Sequence, residues 1–386
     1  MEIIDDRYSR LELITWWDQN ILKNARILVA GCGALGNEIV KNLTMLGVGN
    51  IFTADMDKVE KSNLTRSVLF RYEDEGRSKA ETICRRAREI NDGINLKYFN
   101  GNIFRLGLGV FKNFDIIIGG LDNREARLFI NQSCWKISRP WIDGAIEVLN
   151  GVARAFIPPF GACYECTMSE IDYKIINKRK SCMLLGIDDI IQGKIPTTPT
   201  IASVIGGIQA QEAVKYLHKR EDLMLLSGKG FVFNGGNNDS YIVEYQRNED
   251  CPSHYTFEKI VHSDKKFSEA GLKDLYEIGK ELFHSDSFQI EFNNETVYEL
   301  TDEATGKTFE HFENLNLMSV RDVKKDDGSI LKFRSFNSLN TNSDLYERLH
   351  GKTFSEMKLP YNDIIILRKN EEEFYVEFEP DEIFSE

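Results

Sequence analysis

No stretch of this chain approaches the roughly eighteen consecutive uncharged apolar residues that mark a membrane-crossing helix, so no span is predicted. The N-terminal MEIIDDRYSR is acidic, with no basic segment leading into an apolar one, so a secretory leader is not expected. A cytoplasmic location is the expectation. Cysteine is scarce and odd in number, seven in 386 residues, so a disulfide framework is not expected. An excess of positive charge is missing too. Residues 1–255 carry 32 acidic and 32 basic side chains, whereas residues 256–386 carry 29 and 16, so the whole net charge of −13 sits on the last third. Such a surface repels nucleic acid and anionic membranes. It suits a partner with a basic face, or it serves solubility alone. Internal repeats and low-complexity tracts are also lacking, and the length admits two cores.

What is present reads as an α/β chain. RILVA (residues 26–30) is a short apolar strand running into GCGALG, which opens a helical pattern through Leu46; IFTAD then ends a second strand at Asp55. Strand, glycine turn, helix, strand is the first half of a doubly wound fold. Further strands are predicted at 96–98, 115–119, 141–144 and 151–157, with helices over 78–90 and 123–137. Residues 172–200 are irregular and basic and read as a long crossing loop, the kind that carries function more often than structure. A helix, IASVIGGIQAQEAVKYL, and a hairpin around NGGNNDS follow. The predicted fold is a Rossmann-like, mostly parallel sheet with helices on both faces, occupying residues 1–255. Alternation at Phe288, Ile290 and Phe292 and at Phe374, Val376 and Phe378 predicts a small α+β domain over 256–386. The closing DEIFSE reads as frayed.

Gly31, Gly33 and Gly36 form GxGxxG between strand and helix. In that context the first glycine makes the turn, the second lets phosphate approach the backbone, and the third admits the helix beside the strand. Asp55, nineteen residues beyond Gly36, can accept from ribose hydroxyls. This much does not choose between NAD and ATP. The segment DMDKVEKSNLTRS follows, with Asp57, Asn63 and Arg66 close to where the phosphates would lie. Lys79 begins the next helix, and Asp122 follows the DIIIGG strand. Two cations and a carboxylate that can hold Mg²⁺ around a triphosphate suit adenylation with ATP. Hydride transfer has no use for that cation pair.

Cys163 and Cys166 form CxxC, and Cys251 and His254 form CxxH about 85 residues later. Two short-spaced pairs are what a closed Cys₃His zinc site needs, and the expected role is structural, a staple for the sheet. Buried reduced thiols are the alternative. Cys182, beside Lys178, Arg179 and Lys180, is a candidate thiolate nucleophile that would take an acyl group from an adenylate; the alternative is a small hydrophobe that anchors the loop.

The strings RYSR, ILVAGCGALGNEIVKNL, ADMDKVEKSNLTR, GRSKA, GGLDN, CYEC, GGIQAQEAVK and CPSH, in that order across residues 7–254, resemble the E1-like adenylyltransferases. That superfamily includes ThiF, MoeB and the activating enzymes of ubiquitin-like proteins. The resemblance implies that Gly31, Gly33 and Gly36 form the nucleotide loop. It implies that Asp55 meets the ribose, that Asn63, Arg66 and Lys79 meet phosphate, and that Asp122 is linked to Mg²⁺. It also implies that Arg10 completes the site of the other subunit in a homodimer, and that Cys182 is the crossing-loop cysteine. The partner implied is a ubiquitin-like carrier with a Gly-type C-terminus, and after it an E2-like conjugating enzyme. The extra last 130 residues, as a module for carrier or conjugating enzyme, lean toward a prokaryotic ubiquitin-like conjugation system of the kind tied to antiviral defence. Ser67 stands where the family usually has Gln, and His254 where it has a fourth Cys. Two readings stay beside this one: activation of a sulfur carrier without an enzyme thioester, and a non-catalytic scaffold that binds nucleotide and carrier. A dehydrogenase is a weaker fourth.

Overall fold

Successive side chains of a strand point to opposite faces, and in Arg26–Ala30 everything after Arg26 is buried, so this strand is covered on both sides. Ile27 and Val29 belong to one core cluster, and Leu28 and Ala30 to another. The computed structural model describes residues 6–176, 196–223 and 228–386. In chain order the first domain runs α1 (Gln19–Asn24), β1 (Arg26–Ala30), α2 (Ala34–Met45), β2 (Asn50–Asp55), α3 (Lys79–Ile90), β3 (Asn95–Asn100), α4 (Leu108–Lys112), β4 (Ile116–Gly119), α5 (Arg124–Lys136), β5 (Trp141–Glu147) and β6 (Asn150–Phe156). A helical stretch over 170–176 (α6), α7 (Pro199–Leu217), β7 (Lys229–Asn234) and β8 (Asp239–Glu244) complete it.

These strands form one sheet in the order β3-β2-β1-β4-β5-β6-β7-β8. It is parallel from β3 to β5 and antiparallel from β5 to β8. Chain order reverses across β1 and β4, the switch point where open α/β sheets leave a crevice at the strand ends. Residues of α2, α3 and α7 pack on one face; Trp141, Phe156 and residues of α5 pack on the other.

At both expected bounds of the predicted crossing loop, 172–200, the described residues are helical. Helix α6 runs on through residue 176, and Thr198 N-caps α7 with Pro199 in the first turn, a position that costs proline nothing because that N–H has no helical acceptor. Cys182 and its basic neighbours lie outside the described residues.

The second domain carries β9 (Ile260–Lys266), α8 (Leu272–Phe283), β10 (Gln289–Asp302), β11 (Lys307–Asn314), β12 (Lys332–Asn340), β13 (Ile365–Lys369) and β14 (Glu372–Glu379). They make a six-stranded sheet, β11-β10-β13-β14-β9, with β12 also on β10. Ile290, Phe292, Val376 and Phe378 face its core, as their alternation required.

The expected frayed end is instead part of the first domain. Tyr98 and Ser385 exchange two backbone hydrogen bonds of 2.8 Å, and Phe384 sits edge-on to Phe52 at 5.0 Å with Phe99 and Phe114 beside it. Ile383 and Phe384 join the core cluster that holds Phe52, Phe99 and Phe114.

Charge follows the same seam. Arg105 pairs with Glu313 at 2.9 Å, Lys112 with Glu377 at 2.6 Å, and Lys97 with Glu382 at 2.6 Å. Buried Asp363 accepts from the Leu108 N–H at 2.9 Å and from Asn293; burial pushes its pKa up, against hydrogen bonds and the Lys136 cation. Part of the acidic surface thus faces a basic partner inside the same chain.

Candidate functional site

The glycine loop is shaped by contacts a side chain would break. Gly31 has φ +92°, and a Cβ there would lie 2.6 Å from the Gly120 carbonyl oxygen; on Gly36 it would lie 2.0 Å from the Gly31 oxygen. Around Gly33 a Cβ would meet nothing within 4 Å, so that side of the loop is open. Gly33 caps α2 without a side-chain bond, and the N–H groups of Gly33, Ala34 and Leu35 have no acceptor among the described residues. Free donors at a helix start favour an anion.

Asp55, at the end of β2, accepts from the Cys32 N–H and the Asp57 N–H, both at 2.7 Å. Burial raises its pKa, opposed by the nearby Lys79 ammonium and by those two bonds. Lys79 opens α3, and its Nζ lies 2.8 Å from the Asp57 carboxylate. Burial works against the charged ammonium, but Asp57 and Asp55 outweigh it and hold the pKa above its usual value. Lys79 therefore stays cationic in a largely enclosed place, with 12% of its side chain exposed.

The segment after Asp57 folds back on itself. Asn63 Oδ1 accepts from the Glu60 N–H at 2.9 Å, and Arg66 Nη1 donates to the Ser62 carbonyl at 2.9 Å, so Arg66 is half-buried on a fixed turn. Ser67, where the resemblance led one to expect Gln, has a buried Oγ with no partner among the described residues. Gly120 packs against Gly31 and Gly36, which brings the following Asp122 to the mouth of the loop. The Asp122 side chain is exposed, and Asn123 Nδ2 donates to it at 3.4 Å.

Contacts join Gly31 and Gly36 to Gly120, and Cys32 to Asp55, Asp57 and Lys79, at the switch point, while Asn63, Arg66 and Asp122 lie on the segments that adjoin them. Arg10 does not join them. The strap that carries it lies where α2 and α3 end, with Asn91 Nδ2 donating to Tyr8 Oη at 2.9 Å. Helix α2 has twelve residues, about 18 Å of rise from the loop. Arg10 is exposed there.

Sequence reasoning missed the side chains that brace this crevice. Asn37 is fully buried and bonds to the glycine loop on one side and to the Arg66 turn on the other. Arg127 Nη2 donates to the carbonyls of Leu121 and Gly144 at 2.5 and 3.0 Å, tying the ends of β4 and β5. Buried Asp143 stands between Arg127 and Arg154. The available signal was a polar residue at a buried helix position within a pattern otherwise read for its glycines.

The four expected metal ligands do converge. Their donor atoms lie within 4.8 Å of one another, with Cys163–Cys166 and Cys163–Cys251 sulfur distances of 3.6 Å and 3.4 Å from Cys166 Sγ to His254 Nε2. A tetrahedron with Zn–S bonds of about 2.3 Å has S–S edges of about 3.8 Å, so the set fits a zinc ion with little movement. His254 stacks on Trp135 at 4.2 Å. Around it Asn131 donates to Ser253 at 2.9 Å, Ser253 donates to buried Glu165, and Tyr173 of α6 donates to Glu165 at 2.7 Å. The cluster lies by the C-terminal end of α5, thirteen residues long and so about 20 Å from Asp122. That position suits a staple rather than chemistry.

A sequence profile of the ThiF family matches residues 6–253. Ubiquitin-like modifier-activating enzyme 5 of Dictyostelium discoideum is 26% identical over 284 residues, 68% of this chain and 71% of that protein. The SAMP-activating enzyme E1 of Haloferax volcanii is 28% identical over 251 residues, 64% of this chain and 87% of that one. The NEDD8-activating enzyme E1 catalytic subunit of Arabidopsis thaliana is 36% identical over 156 residues, and this chain spans only 34% of its length. Among solved structures, E. coli MccB with ATP aligns at a TM-score of 0.55 and 25% identity, over 66% of this chain and 75% of that chain. MccB with AMPCPP and MccA aligns at 0.54 and 25%, over 65% and 74%. Among the described residues no helix is long and apolar enough to cross a membrane.

Proposed function

Because the chain belongs to the ThiF family, we propose that it uses ATP to adenylate the C-terminal carboxylate of a small carrier protein or peptide. The observation that supports this reading most is the run of unpaired loop N–H groups beside Asp55, with the Lys79 ammonium held next to Asp57, at the switch point. The pairing of ATP and MccA with MccB in related structures supports it.

In this reading the triphosphate lies on the loop N–H groups of Gly33 to Leu35, with the ribose on Asp55. The carrier carboxylate attacks the α-phosphorus. The bond from that phosphorus to the bridging β-oxygen breaks, giving acyl adenylate and pyrophosphate. Lys79 and Arg66 stabilise the charge that gathers on the phosphates, and Asp122 holds Mg²⁺, which supplies further charge. Lys79 leaves Asp57 for phosphate, or bridges both. Cys163, Cys166, Cys251 and His254 would hold a zinc ion, whose bonds would keep the segment after β6 against the end of the sheet.

Finer features extend the same reading. The carrier is a ubiquitin-like protein with a Gly-type C-terminus, and Arg10 reaches the site of a second subunit in a homodimer. The acidic surface outside the seam receives the carrier or an E2-like conjugating enzyme. Cys182 decides between two outcomes. A thioester there passes the carrier onward; without one, the adenylate is released to another nucleophile, as for a sulfur carrier.

ATP–pyrophosphate exchange with candidate small proteins ending in glycine tests the core claim. Exchange is expected from the wild type and is expected to fall at least a hundredfold in Asp122→Ala. No exchange with any carrier, or an Asp122→Ala variant as fast as wild type, overturns it. Intact mass with and without thiol reductant, for wild type and Cys182→Ala, separates the two outcomes.

A further inference from the structure

A nucleotide loop needs its N–H groups turned outward and held there, and one side chain below this loop does the holding. Asn37 lies one turn into α2 with none of its surface exposed. Its Nδ2 donates to the carbonyls of Cys32 at 2.9 Å and Gly33 at 3.0 Å. Its Oδ1 accepts the Leu69 N–H at 2.9 Å. The neighbours of Asn37 on the helix, Leu35, Ile39 and Val40, are core residues, so a polar group here must find partners or be costly. All its partners belong to the nucleotide crevice.

The two faces of the amide do different things. The amide N–H₂ draws two successive loop carbonyls inward, and a peptide plane whose oxygen points in has its N–H pointing out. The next donors, on Gly33, Ala34 and Leu35, are the ones without acceptors. The amide oxygen ties down the far end of the Arg66 turn. Between Asn63 and Leu69 that turn is closed by the Arg66 N–H to Asn63 carbonyl bond of 3.0 Å and by Phe70 N–H to Ser67 carbonyl at 3.1 Å. Nothing else from α2 bonds to that turn by a side chain among the described residues. The spacing between the loop donors and the Arg66 cation is thus set through one buried amide.

We propose that Asn37 is a positioning residue that fixes the loop N–H groups and Arg66 as one polyphosphate cradle, giving this site its preference for ATP over adenosine. The inference rests on the adenylation reading above. Asn37 touches no nucleotide itself; it acts through Cys32, Gly33 and the turn.

The test is calorimetric binding of ATP and of adenosine to the full chain, wild type against Asn37→Asp. Aspartate has the same shape and keeps the acceptor for Leu69, but it presents oxygen to two carbonyl oxygens. The Gly33 carbonyl keeps the backbone N–H of residue 37, but the Cys32 carbonyl loses its donor and both carbonyls face a carboxylate oxygen, which weakens the triphosphate contact by about tenfold, whereas adenosine, seated by Asp55, changes less than about twofold. Asn37→Ser, which keeps one donor, is expected between the two and takes over the test if the aspartate variant does not fold. Equal losses for ATP and adenosine would mean a merely structural role and would overturn the proposal, as would no loss for either. Wild type that fails to bind ATP sinks the adenylation reading along with it; wild type that binds ATP with an unaltered variant sinks this proposal alone.

Discussion

Replacing Lys79 with methionine keeps the length and packing of the side chain and removes one charge. The side chain is 12% exposed and its ammonium lies 2.8 Å from Asp57, so solvent screens it little. A unit charge about 4 Å from a phosphate oxygen at an effective dielectric of about 20 is worth about 4 kcal/mol. Loss of a single preorganised donor from comparable sites costs about 2.7–4 kcal/mol in kcat. The two estimates meet at a fall of about 10²–10³ in ATP–pyrophosphate exchange. A second effect has a distinct sign. Asp55 has a pKa raised by burial, with Lys79 opposing. Ionised, it accepts the Cys32 N–H and a ribose hydroxyl as charge-assisted bonds, and protonation weakens both, so activity falls as pH drops through that raised pKa. Without Lys79 the pKa rises further, and the acidic limb of the exchange profile moves to higher pH. Folding stability responds oppositely: a carboxyl whose pKa is raised in the fold adds stability as pH falls and loses it as pH rises through the same window. The assay is exchange from pH 4.5 to 8, with thermal unfolding over the same range. Exchange within twofold of wild type and an unmoved acidic limb would refute the placing of Lys79 on the triphosphate.

Purified protein should hold one zinc per chain by mass spectrometry. Cys251→Ser should lose it together with about 3 kcal/mol of stability, roughly 6–12 °C in Tm for a domain of ordinary size; full zinc retention in the variant, or none in the wild type, contradicts the staple. Phe384→Ala should lower the unfolding free energy by about 2–3 kcal/mol, below the value for a fully buried phenylalanine because this ring is only partly enclosed; a change under about 0.5 kcal/mol would mean the tail is not docked in solution. If Arg10 acts across a homodimer, Arg10→Ala and Lys79→Met chains are each inactive, yet an equal mixture regains about a quarter of wild-type exchange, since half the dimers are mixed and each has one intact site. No recovery after subunit exchange removes Arg10 from the site.

Some of this was settled along the chain itself. Glycines at 31 and 36, between an apolar strand and an apolar helix, specify a turn that only residues without a Cβ can make, because the contacts they avoid are with their own loop and the segment after β4. The CxxC and CxxH pairs at turns announced a four-donor site by their internal spacing, and the donors do meet. Strand alternation announced the second sheet. These features are local, or repeat at a fixed period, and a linear reading can find them.

Features that depend on what lies opposite in space needed the folded chain. An acidic last third says nothing about which acids face Lys97, Arg105 and Lys112; pairing across 200 residues or more leaves no periodic trace. The closing residues carry Ile383 and Phe384 among polar neighbours and read as loose, yet Phe384 packs edge-on against Phe52 and Phe114 of the first domain. Asn37 carries no signal of its role in the sequence because its three partners, Cys32, Gly33 and Leu69, meet only when α2 packs on β1 and the Arg66 turn folds over it. Composition and spacing determine which groups a chain can offer. Burial determines which of them must find partners, and only the tertiary arrangement decides who those partners are, because an unsatisfied polar group in the core costs more than the fold can spare.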